Sequence, residues 1–136
     1  MRSHPLIEDL HQSAVEALAH DRPVTMLNLM KFRPNSLDGD GSGWDAYLRY
    51  SQLAIREIKS RGGSIIWAGD VKGVALGPQT MGGWDYAALV YYPAPSAFLD
   101  MMTSQAYSVA NEHRTNGCEQ HLILATDASF SKLATP

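Results

Sequence analysis

The chain reads as an α+β fold in which one four-stranded antiparallel sheet carries its crossover helices on one side. Three observations predict this. Apolar residues switch between helical and strand spacing in the order helix, then β-α-β-β-α-β. The first and third strands are apolar on both faces. The 136 residues leave room for one compact domain and little else.

The elements follow in order. Ile7, Leu10, His11, Ala14 and Leu18 recur at helical spacing, and Asp21-Arg22-Pro23 closes the pattern. Val24-Thr-Met-Leu-Asn-Leu-Met-Lys-Phe32 is rich in strand formers and is stopped by Pro34, so it is the first strand. Residues 35–43, rich in Gly, Asp and Ser, form a flexible loop. Trp44, Tyr47, Leu48, Ser51, Ala54, Ile55 and Ile58 then trace one face of a helix that Gly62-Gly63 ends. Residues 64–68 make the second strand, with 71–76 as its continuation, and residues 84–92 make the third, antiparallel to the second. After Pro93 and Pro95, Phe98, Met101 and Met102 open a helical face, and Ser104 caps a second segment carrying Tyr107, Ala110 and Arg114 up to Asn116-Gly117. Residues 119–126 are the fourth strand. This order is the split-βαβ, ferredoxin-like arrangement preceded by an extra helix. The expected single domain spans 1–136, with a core at about 24–126, an N-terminal helical extension at 1–22 and a tail at 127–136.

Composition removes several function classes. A chain that is 45% hydrophobic and 18% charged can fold around a core. Eleven Lys and Arg against fourteen Asp and Glu, without long like-charge blocks, argue against a nucleic-acid surface. No apolar run is long enough to cross a membrane, and the acidic, His-containing start is unlike a signal peptide. A cytoplasmic protein is expected. The lone Cys118 excludes a disulfide framework and a multi-cysteine metal site.

Side chains alternate along a strand, so Val24, Met26, Asn28, Met30 and Phe32 oppose Thr25, Leu27, Leu29 and Lys31. Trp84, Tyr86, Ala88, Val90 and Tyr92 likewise oppose Asp85, Ala87, Leu89 and Tyr91. Helices shelter one face, and the other needs a second cover. A partner's sheet is the simplest supplier, giving a homodimer through the sheet faces; the alternative is the N-terminal helix folded across the open face.

The ordered set Val24-Thr-Met-Leu-Asn-Leu-Met-Lys-Phe-Arg33, Tyr47 and Tyr50, Gly62-Gly63, Trp67-Ala-Gly69, Trp84-Asp85, Leu89-Val-Tyr-Tyr-Pro93, Phe98, Met102, Ser104, Tyr107 and His113-Arg114 resembles the DUF1330 family over about residues 24–124. The resemblance implies a dimeric α+β barrel, two ferredoxin-like units joined sheet to sheet. Relatives by fold include cofactor-independent monooxygenases, muconolactone-isomerase-like proteins and haem-degrading enzymes, but fold does not transmit chemistry. The N-terminal helix, the 35–43 loop and the tail depart from the family pattern.

Each candidate site residue carries a chemical and a structural reading. Asn28, an amide in an apolar strand, either faces a ligand or anchors a neighbouring strand. Lys31 and Arg33 either hold a substrate carboxylate or end the strand in solvent. Asp85 is a candidate general base or a turn-capping carboxylate. His113 and Arg114 either serve proton exchange and substrate binding or simply suit a helix C-terminus. Tyr47, Tyr50, Trp67 and Tyr107 line an aromatic pocket or pack the core. The expected site therefore has Asp85 and His113 as catalytic groups, with Asn28, Lys31, Arg33, Tyr47, Trp67, Tyr107 and Arg114 binding a small organic molecule. Proton transfer, isomerisation or cofactor-independent oxidation would be the reaction; non-catalytic ligand binding and haem binding through a histidine are the alternatives. No cofactor or metal is expected. Asp38-Gly-Asp40-Gly-Ser42-Gly43 copies half of a calcium loop, but Arg49 stands where the completing Glu belongs, and a mobile lid is the expected role of this loop.

Overall fold

The computed structural model describes residues 10–18 and 22–133. Strand β1 (Val24–Phe32) lies inside the sheet, flanked by β3 (Tyr86–Tyr92) and β4 (Cys118–Thr126), and β2 (Ser64–Asp70) extends the far side of β3. The resulting order, β2-β3-β1-β4 with every pair antiparallel, is the ferredoxin-like one. Helix α1 (Gln12–Glu16) precedes the sheet, α2 (Gly43–Ser60) links β1 to β2, and α3 (Pro95–Met102) and α4 (Gln105–Gly117) link β3 to β4.

Local chemistry explains the boundaries. Ser42 Oγ accepts from the Asp45 N–H at 3.1 Å while the Asp45 carboxylate accepts from the Ser42 N–H at 2.9 Å, a reciprocal cap that starts α2. Ser104 Oγ takes the Tyr107 N–H and opens α4 at the expected place. Gly62, at φ 81°, turns the chain out of α2. Gly117 has a different reason for being glycine: its ideal Cβ would lie 2.5 Å from the Gly43 carbonyl oxygen, and one on Gly43 would lie 2.7 Å from the Gly117 carbonyl oxygen. The start of α2 and the end of α4 meet there backbone to backbone.

Several boundaries differ from the sequence reading. The expected continuation of the second strand over 71–76 is absent, because glycines at 73 and 77 take positive φ and the chain leaves the sheet; only the Val71 N–H still reaches the Asp85 carbonyl oxygen, at 3.0 Å. The third strand starts at Tyr86 rather than residue 84. In the N-terminal helix, Leu10 and His11 precede the first helical turn, while Ile7 and Asp21 lie outside the described residues.

The strand faces divide as their alternation predicts. Val24, Met26, Asn28 and Met30 are buried toward the helices, with Ala88, Val90 and Tyr92 opposite them and Tyr50, Phe98, Met101 and Tyr107 packed above. On the other face Leu27 meets Leu89 and Leu124, and Leu29 meets Leu122. That face is open: Trp67 is 48% exposed, Leu122 40% and Leu124 44%. Helix α1 packs against α3 and sends Val15 into the helix-side core, so its described residues leave the open face uncovered. The sheet of the single chain does not close into a barrel. No helix among the described residues is long and apolar enough to cross a membrane.

Candidate functional site

Two elements meeting at residue 117 supply most of a buried polar network. On α4, Tyr107, Asn111 and Arg114 stand at i, i+4 and i+7, which puts them on one helical face. The chain then runs straight into β4, where His121, Ile123 and Ala125 alternate toward the helices and His121 sits opposite Met30. Asn28 contributes from the adjacent position of β1 that shares this face.

The hydrogen bonds form one chain. Arg114 Nε donates to His121 Nδ1 at 2.7 Å, so the ring proton resides on Nε2, which faces Asn28 Oδ1 at 2.8 Å. The Asn28 amide donates in turn to the Met26 carbonyl oxygen at 3.1 Å. In the other direction an Arg114 terminal nitrogen donates to Asn111 Oδ1 at 2.9 Å and reaches the Tyr107 hydroxyl at 3.5 Å, which pairs with the Tyr50 hydroxyl at 2.9 Å. Burial, reinforced by the adjacent Arg114 charge, pushes His121 well below its ordinary pKa. It is a neutral imidazole with both nitrogens engaged. Burial opposes the charge of Arg114, but Tyr107, Tyr50 and Cys118 outweigh it and the shift is upward. Burial also raises the Tyr50 hydroxyl far above its usual value and lifts Tyr47 to about 12.

Arg114 and His121 form the polar floor of a cleft of about 350 Å³ between the N-terminal segment, α3 and β4, walled by Leu10, Ala14, Val15, Phe98 and Ile123. A second, narrow hollow of about 30 Å³ lies on the other side of His121, beneath α2, and is bordered by Asn28 and Tyr50.

Of the residues singled out in the sequence, Asn28, Tyr107 and Arg114 come together here. Tyr47 lies next to them in an aromatic cluster, its ring centroid 5.0 Å from Phe32 and 5.7 Å from both Trp44 and Tyr50. The others are elsewhere. Asp85 is exposed at the start of β3 and accepts the Phe32 N–H at 2.8 Å, continuing the β1–β3 ladder by a side chain. Arg33 donates from Nε to the Thr115 carbonyl oxygen at 3.1 Å and braces the Gly43–Gly117 junction. Lys31 pairs with Glu119 at 3.2 Å at the sheet's edge strand, both half-exposed. His113 is on α4, and its Nδ1 is buried without a hydrogen-bond partner among the described residues. Trp67 is on the open face: an irregularity between Ile65 and Trp67 shifts the β2 register, so that Ile65 faces Val90 while Trp67 faces Leu89.

His121 and Asn111 were not among the expected site residues. The signals for them are the helical spacing from Tyr107 through Asn111 to Arg114, and a histidine in strand phase with Ile123. No group of three or more His, Cys, Asp or Glu side chains among the described residues could hold a metal ion. In the 35–43 loop, Arg49 lies 3.8 Å from Asp38 and 3.9 Å from Asp40 and donates to the Asp40 carbonyl oxygen at 2.9 Å. A protein cation stands among the would-be calcium ligands.

No family model matches the chain, and no curated protein matches it. Solved structures do. RPA0582, a protein of unknown function from Rhodopseudomonas palustris, is 25% identical with a TM-score of 0.79, over 96% of this chain and 100% of that one. The methylated form of RPA0582 gives 28% identity and a TM-score of 0.77, over 97% and 99%. A protein from Bacteroides fragilis, described as dimeric, of unknown function and of ferredoxin-like fold, is 12% identical with a TM-score of 0.44, over 78% and 96%. The likeness to RPA0582 extends beyond the sheet and its crossover helices to nearly the whole chain.

Proposed function

We propose that the protein is a small-ligand-binding homodimer of the DUF1330 kind, paired through its open sheet faces as a dimeric α+β barrel, with one ligand cleft per protomer on the helical side. The observation that carries the ligand site is the buried Arg114–His121 pair at the floor of a cleft whose other lining residues, apart from His11, are apolar. Ligand sites are typically of this kind, mostly hydrophobic hollows of roughly 300–1,000 Å³ with a few convergent polar groups. The observation that supports pairing is the row of leucines and Trp67 left exposed across the sheet. At about 25 cal/mol per Å², covering several hundred Å² of such surface contributes enough to offset part of the cost of association.

Binding without catalysis fits the network best, because both nitrogens of His121 and both ends of the Asn28 amide are already engaged. A cofactor-independent proton-transfer or monooxygenase-like activity is the second reading. It is favoured by the unbroken hydrogen-bonded path from Asn28 through His121, Arg114 and Tyr107 to Tyr50.

The two halves of the proposal separate experimentally. Sedimentation should report twice the 14.9 kDa chain mass, and the double variant Leu122→Asp, Leu124→Asp should sediment as a folded single chain. A wild-type monomer at micromolar concentration refutes the pairing. A fragment screen by amide NMR should perturb Ala14, Arg114 and His121 together; hits confined to other regions refute the cleft.

A further inference from the structure

Arg114 is only 5% exposed, yet its hydrogen-bond partners among the described residues are all neutral. His121 accepts from Nε, and the Asn111 carbonyl and the Tyr107 hydroxyl face one terminal nitrogen. The second terminal nitrogen makes no hydrogen bond among the described residues, and Arg114 lines the cleft. None of the ion pairs among the described residues joins a carboxylate to Arg114. Glu119 is paired with Lys31, and Glu16 is exposed on α1. A guanidinium withdrawn from water without an anion is unfavourable, and apart from His11 and His121 the cleft beside it is lined by apolar side chains.

We propose that the cleft takes a small monocarboxylate with an apolar body, its carboxylate against Arg114 and its hydrocarbon along Val15, Phe98 and Ile123. This rests on the cleft being the ligand site. A single charge matches the single cation on the floor. A phosphate dianion would leave excess negative charge in a dry wall, and a polyhydroxylated ligand would leave its hydroxyls facing carbon. Arginine suits a carboxylate because the planar fork presents parallel donors.

The test is calorimetric titration of the full chain with hexanoate and phenylacetate against their neutral amides, hexanamide and phenylacetamide. The acids should bind at least tenfold more tightly than the amides. Arg114→Gln, which removes the charge, should remove most of that preference, and Ala14→Phe, on the exposed wall of the cleft, should abolish binding of all four. Amides that bind as well as the acids, with Ala14→Phe still blocking both, overturn the carboxylate assignment and leave the cleft standing. Acid binding that Ala14→Phe does not affect overturns the cleft itself. If no probe binds, the monocarboxylate proposal fails. The acid-to-amide comparison on the unmodified protein decides the class even where Arg114→Gln does not fold.

Discussion

His121 offers a measurement in which the network acts on stability through pH. Buried between Arg114 and Asn28, it stays neutral in the folded protein well below the pH at which an ordinary histidine takes up a proton. In the unfolded chain it titrates near 6.5. Below that value the unfolded state binds a proton that the folded state refuses, so stability falls as pH falls. With the folded histidine still neutral, the loss between about pH 7.5 and about pH 5 is roughly 2 kcal/mol, from the unfolded-state pKa and linkage alone. His121→Gln retains an acceptor for Arg114 and a donor for Asn28 but cannot titrate. Urea unfolding of both proteins at fixed protomer concentration should therefore show the wild type losing about 2 kcal/mol more than the variant over that interval. Contributions from the rest of the chain are common to both proteins and cancel in the difference. Parallel losses in the two proteins would refute the neutral, buried imidazole and the direction of the Arg114–His121 hydrogen bond.

Other perturbations test single contacts. Ser42→Ala removes the oxygen that accepts the Asp45 N–H and should lower stability by about 1 kcal/mol in urea unfolding. Gly43→Ala would put a methyl group 2.1 Å from the Arg33 carbonyl oxygen and 2.7 Å from that of Gly117, both backbone. It should yield little soluble folded protein, and a variant with a wild-type circular dichroism spectrum and melting temperature contradicts the packing described. Asp85→Ala leaves the Phe32 N–H without its side-chain acceptor and should cost about 1–2 kcal/mol without changing ligand binding. Lost binding with unchanged stability would instead return Asp85 to the site. Asn28→Ala should weaken ligand binding while leaving the sedimentation of the dimer unchanged, since among the described residues its amide bonds only to Met26 and His121.

The fold was legible because its signals are local and periodic. Strand β1 begins and ends where Val24 and Phe32 bound the run of strand formers, and α4 begins at the Ser104 cap. Two faces of hydrophobic residues on β1 and β3 called for two covers, and the described residues supply one. The readings that failed concern places where backbone geometry overrides pattern. Residues 71–76 look like strand, but Gly73 and Gly77 bend the chain away. Asn116-Gly117 does end α4, though Gly117 does so through close contact with Gly43 and without a positive φ.

The site was half legible, and the missing half shows what strand parity and helical phase add to a list of reactive residue types. His113 attracted attention as a histidine beside Arg114, but neighbours in sequence on a helix point about 100° apart, and only Arg114 shares the face of Tyr107 and Asn111. Its true partner is seven residues on, across the junction into β4, where the alternation that buries Ile123 also turns His121 inward. Trp67 shows the converse. Simple alternation from Ile65 sends it toward the helices, and one shifted residue in β2 turns it to the open face beside Leu89, among the leucines proposed to meet a partner. A side chain read as lining the pocket thus lies on the open face of the sheet. Trp67→Asp should accordingly weaken dimer formation and leave carboxylate binding at Arg114 intact, and loss of binding in a dimer that still forms would place Trp67 back in the site.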